Sequence, residues 1–172
     1  RFDEFAIDIQ LGADRDDRFG DGRIAEHIVF NEALMKTHRT ILYNYLSEKY
    51  ASDLGKLDYF GLNAPFKNHI AGIGRESEVD LHTDAKGLGY LRVNNPTDLD
   101  DGEYLFWASN GQAIEDWTST ALKVSDQIVF EQSDVEWQFT QKGSVGKVSL
   151  LLQGSNLDVT NYRYFIENSG VI

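Results

Sequence analysis

The chain has 172 residues, 41% of them hydrophobic and 26% charged, enough for one domain with a core and marginal for two. A formal net charge of −12 with scattered Lys and Arg argues against a nucleic-acid or anionic-membrane partner, both of which call for clustered cations. Cysteine is absent, which removes disulfides, thiolate metal sites and a cysteine nucleophile, and no apolar run approaches the roughly 20 residues of a membrane helix.

The chain opens in mid-pattern, RFDEFAID, as expected of a mature chain or an excised piece of a longer one. FAIDIQL, residues 5–11, alternates apolar and polar and predicts a half-buried strand; after the loop GADRDDRFGDG, IAEHIVF (24–30) predicts its antiparallel partner. A helix is predicted over about 34–50. Leu34, His38, Ile41, Leu42, Tyr45 and Leu46 form its apolar stripe, with Thr37, Asn44, Ser47 and Glu48 on the wet side. Its start is poorly marked: Asn31 is the available cap, and no Glu or Gln follows three positions later.

Beyond the helix the pattern is strand and turn, with candidates at 69–74, 89–93, 103–108, 127–131, 135–140, 147–153 and 162–167. Period-two alternation punctuated by Gly, Asn and Asp predicts a mostly β fold, an antiparallel sandwich with the amphipathic helix packed on it.

Within that framework NHIAGIGRES (68–77) is the most motif-like stretch. It lacks the Lys-Ser/Thr ending of a phosphate-binding loop and the third glycine of a dinucleotide fingerprint. Gly72 and Gly74 share one face of a strand, so the segment reads as a place of close approach, with Arg75 at its end available to a carboxylate on a neighbouring turn.

Acids crowd two turns: Asp14, Asp16, Asp17 and Asp21, and then Asp98, Asp100, Asp101 and Glu103. The first fails the EF-hand pattern, since Phe19 stands where glycine is needed. Calcium sites in sandwich loops need only several oxygens in a tight turn, so both sets are candidate Ca2+ ligands, the alternative being two solvated turns. Gln132, Asp134 and Glu136 have the alternate spacing of sandwich glycosidases, but an amide at the first position cannot serve as nucleophile. His27, His38, His69 and His82 form no close ligand pair, and a lone strand histidine reads as structural. Trp107 and Trp137 read as core; Trp117, in IEDWTST, is the candidate platform for a sugar ring.

Taken together, GRIAEHIVFNEAL and ILYNYLSEKY resemble the end of laminin-G or concanavalin-like domains in large bacterial surface proteins. NHIAGIGRES, EYLFWASNG and VEWQFTQKGSVGKVSLLL resemble the uncharacterised β-sandwich domain that follows there. The resemblance runs from about residue 22 to 164, with Met35, Lys36 and His69 departing from the pattern. It implies a single module over 1–172, with residues 1–50 akin to the tail of the preceding domain and 51–172 supplying the main strands. It implies no catalytic residues. The function expected is a non-catalytic structural or adhesive module, extracellular or on a cell surface, whose partners are neighbouring domains of the same polypeptide. The alternative is a calcium-assisted carbohydrate- or peptide-binding module.

Overall fold

A computed structural model describes residues 23–53, 55, 59, 66–87, 89–113, 117–125 and 128–152. The chain divides into two compact units, Arg1–Ala33 and Leu34–Ile172. In the first, residues 23–33 form no strand, and Ile24, Ile28, Val29 and Phe30 are all exposed. The strand predicted over 24–30 is therefore corrected: alternation supplies a face, but a strand also needs a ladder partner. Its predicted partner at 5–11 lies outside the described residues, as does the strand predicted at 162–167.

The second unit is mostly β. Its elements are helix α1 (Lys36–Tyr50) and strands β1 (Asn68–Ser77), β2 (Asp80–His82), β3 (Asp84–Ala85), β4 (Leu91–Asn94), β5 (Glu103–Ser109), β6 (Trp117–Ser125), β7 (Ile128–Ser133), β8 (Trp137–Lys142) and β9 (Ser149–Leu152). They form a four-stranded sheet in the order β2-β1-β5-β8, a three-stranded sheet in the order β3-β4-β9, and a β6-β7 ribbon. All the pairings are antiparallel. β6 has no counterpart among the strands expected from the sequence, which pass from 103–108 to 127–131.

β5 explains the layering. Six of its seven residues are buried, so its sequence reads as a continuous apolar run rather than an alternation. Leu105 and Trp107 face one core with Ala71, Ile73, Leu91, Val93, Leu99 and Val145, which closes the two sheets on each other as a sandwich. Tyr104, Phe106 and Ala108 face the opposite side with Ile70, where Ile41 and Tyr45 of α1 pack on them.

The close approach predicted at GIGR is present, and rings make it. Gly72 pairs with Phe106 and Gly74 with Tyr104 across β1 and β5. A Cβ at Gly72 would stand 2.7 Å from Phe106 Cδ1, and one at Gly74 only 2.9 Å from Tyr104 Cγ and nearer still to Cδ1 and Cε1. The two rings stack 5.8 Å apart, each lying over a glycine that leaves room for it.

α1 corrects the predicted face. Its buried residues are Thr37, Thr40, Asn44, Ser47 and Glu48, most of them the set assigned to water. Short side chains at 37, 40, 44 and 47 let the helix lie close to the sheet, and the polar atoms of Thr37 and Asn44 find partners. Thr37 Oγ1 donates to the carbonyl of Asp80 at 2.8 Å, Asn44 Nδ2 donates to Thr40 O at 2.9 Å, and Asn44 Oδ1 accepts from Tyr59 N at 2.8 Å.

The helix start is corrected too. Met35 holds the N-cap position with no side-chain bond. The cap arrives from the β1–β2 hairpin: Asp80 Oδ2 accepts from Lys36 N at 3.0 Å and Oδ1 from Thr37 N at 3.1 Å. Burial pushes the Asp80 carboxyl up, but hydrogen bonds from Thr37 and Lys36 outweigh it and hold the group below its ordinary range. Beside this, Lys36 Nζ pairs with Glu76 at 2.5 Å, and Glu76 Oε1 accepts from the Tyr104 hydroxyl at 2.7 Å.

Candidate functional site

The acidic turn at 98–103 is built into the fold. Glu103 N donates to Asp100 O at 3.1 Å, and Gly102 takes φ +83° at the third position, as a type II turn requires. Glu103 Oε2 accepts from Asp100 N at 2.8 Å and Oε1 from Ser144 N at 3.0 Å. These two N–H groups, Ser144 first, hold the Glu103 carboxyl below its usual range. Arg75 fulfils its expectation, its Nε donating to Asp101 Oδ1 at 2.8 Å and Nη1 to Leu99 O at 3.2 Å.

Among the described residues no group of three or more His, Asp or Glu is placed to hold a metal ion, so Asp98, Asp100, Asp101 and Glu103 do not converge as ligands. Asp14, Asp16, Asp17 and Asp21 lie outside the described residues. Trp117 opens β6, and its side chain also lies outside them.

Gln132, Asp134 and Glu136 do not share a strand. Gln132 belongs to β7, Asp134 sits in the bend after Ser133, and Glu136 precedes β8. Asn110 fastens that turn, its Nδ2 donating to Asp134 O at 2.7 Å and its N to Glu136 O at 3.1 Å.

Two histidines meet. His38 of α1 and His82 of β2 stand edge to face with ring centroids 5.2 Å apart. Burial first, then the nearby His38, depress the His82 pKa, while Asp84 opposes them. Asp84 is itself paired with Arg92 across β3 and β4.

The chemically distinctive place is at His69. It stands at φ +56° within β1, inside the register shift that separates Asn68 from Ala71. A non-glycine residue in that region of backbone space is uncommon and costs free energy, so its surroundings must enforce it. Glycines from two loops leave room for it. A Cβ at Gly89 would lie 2.8 Å from His69 Cβ, one at Gly87 would lie 2.9 Å from Ala71 Cβ, and one at Gly111 would lie 2.5 Å from Asn68 Nδ2.

The imidazole is held as well. His69 Nδ1 lies 2.9 Å from the buried Ser109 Oγ, which also accepts Gly111 N–H at 3.2 Å. His69 borders an open recess of about 240 Å³ lined also by Tyr45, Lys49, Lys67, Asn68 and Ile70. Lys49 Nζ donates to the Tyr45 hydroxyl at 2.8 Å and lies 5.1 Å from that ring's centroid.

Sequence reasoning missed this recess, because α1 and β1 bring its residues together from positions some twenty apart. Its one local signal is the spacing of Gly87 and Gly89, which marks a close backbone passage without saying what passes.

The sequence profile of a domain of unknown function, DUF8202, matches residues 42–171. The chain belongs to this family. The matched span begins within α1 and takes in all the described strands, from β1 to β9. Comparison with curated proteins and with solved structures returns no match.

Proposed function

We propose that this DUF8202 chain is a non-catalytic structural and adhesive module of a large bacterial extracellular or cell-surface protein, a rigid body that positions neighbouring domains and presents a binding face. The reading rests on the resemblance of its ordered motifs to modules of such proteins. The observation that carries it is what the most site-like residues do. Glu103 binds backbone N–H groups of its own turn and of Ser144, Asp101 binds the Arg75 side chain, and Gly72 and Gly74 seat two rings. Gln132 and Glu136, at the glycosidase spacing, stand on either side of a bend that holds Asp134.

Among the described residues no helix is long and apolar enough to cross a membrane. The test is a panel of polysaccharides and peptides offered to the full chain, scored for retention and for turnover. Retention without turnover is expected. Turnover that disappears in Glu136→Gln would overturn the proposal.

A further inference from the structure

We infer that His38 and His82 form an acid-operated latch, which holds the first turn of α1 on β2 while both rings are neutral and lets that turn open as they gain protons. His38 is the third residue of the helix, and His82 ends a strand of three residues at the outer end of the order β2-β1-β5-β8. The two rings meet edge to face at 5.2 Å between centroids, in the contact that α1 makes with the hairpin.

That contact is poorly suited to charge. Both rings are half-buried, and among the described residues neither has a hydrogen-bond partner. A proton on His38 puts a cation in the first turn, where the helix dipole already presents its positive end. A proton on His82 puts a cation in a half-buried strand position opposite Gly74, which has no side chain to answer it. Protons on both set two cations against each other.

The nearby carboxylates offset that charge only in part, since each is committed elsewhere. On the hairpin, Asp80 caps Lys36 N and Thr37 N. On β1, Glu76 is taken by Lys36 and the Tyr104 hydroxyl; on β3, Asp84 is taken by Arg92 of β4. Arg39, the next residue of the helix, donates to Leu34 O. All three carboxyls are held below their ordinary range, so they stay charged between about pH 7 and 5, and of these groups the two histidines alone change state there.

Two unit charges 5.2 Å apart favour opening of the turn at least about four-fold, even at the dielectric constant of bulk water. The experiment follows amide hydrogen exchange of the full chain by NMR between about pH 7 and 5, corrected for the intrinsic exchange rate of each amide. The Arg39 amide, bonded to Met35 O at 3.1 Å, reports the first turn, and the Phe106 amide reports β5. Arg39 is expected to lose protection at least about four-fold across that range while Phe106 keeps it. His38→Gln and His82→Gln should each shrink the change to under about two-fold, and His27→Gln, at an exposed histidine outside the pair, should track the parent.

Unchanged protection at Arg39 over that range, or a loss that persists in both glutamine variants, would overturn the latch. An equal loss at Phe106 would also overturn it, because acid would then be unfolding the whole sheet. The imidazole titrations of the parent give a second reading that needs no variant. Coupling predicts two separated transitions, the lower one beneath the ordinary histidine range, and two independent transitions within that range would overturn the pair.

Discussion

Gly74→Ala tests the account of the sandwich at its most crowded point. Gly74 is not among the positive-φ glycines, so alanine meets no backbone strain there, and a less flexible unfolded chain alone would stabilise the variant by about 0.4–1 kcal/mol. The added methyl would nevertheless overlap the Tyr104 ring, whose atoms Cδ1, Cε1 and Cγ are its three nearest neighbours.

That ring has nowhere convenient to go. It is fully buried, stacked on Phe106 at 5.8 Å, and its hydroxyl is held by Glu76 at 2.7 Å. Overpacking costs about 1–3 kcal/mol, and breaking a hydrogen bond to a charged carboxylate adds about 1.5 kcal/mol. The net is a loss of about 2–4 kcal/mol, or a fall in melting temperature of roughly 5–15 °C for a chain of this size.

The assay is thermal and urea unfolding of four proteins: the parent, Gly74→Ala, Tyr104→Val and the double variant. In the Tyr104→Val background the methyl has room, so the alanine should cost little and the cycle should show a coupling of at least about 1 kcal/mol. A neutral or stabilising Gly74→Ala, or a cycle that adds, would refute the idea that this glycine exists to seat the ring.

Three further outcomes are expected. Asp80→Ala removes the cap on α1 and should cost about 1 kcal/mol near neutral pH. Because the folded Asp80 pKa is depressed, the difference from the parent should shrink as pH falls through the folded value, and hydrogen exchange at Lys36 and Thr37 reports it directly. His82 also has a depressed pKa, so its share of stability is present above the ordinary histidine range near pH 6.5 and is lost as pH falls; His82→Gln should flatten the melting-temperature profile between about pH 7 and 5. Arg75→Ala removes a half-exposed ion pair and a bond to Leu99 O, and a urea titration should show a loss of about 1 kcal/mol, with no change meaning that the turn holds itself.

Residues 103–109, 128–133, 137–142 and 149–152 were legible as strands because period-two alternation, or an unbroken apolar run, reports local geometry. Arg75 was legible because a strand-end cation beside acidic turns has few other partners. The helix was legible as a helix and misread as to its face. Ile41 and Tyr45 do reach the core, yet Thr37, Asn44 and Ser47 lie deeper, short side chains that let the helix close on the sheet face carrying the Tyr104 and Phe106 rings. The strand expected at 24–30 shows the same limit from the other side: a pattern cannot supply its own ladder.

The sequence by itself determined the helix and most of the longer strands, the sandwich class, the close passage at Gly72 and Gly74, and the absence of thiol chemistry, because each depends on residues adjacent or alternate in the chain. Tertiary structure alone decided the sheet order β2-β1-β5-β8, the cap that Asp80 lends to a helix more than forty residues earlier, the meeting of His38 with His82, and the recess at His69. Those features join distant segments. Their free energy comes from burial and hydrogen bonding that exist only once the chain has closed on itself.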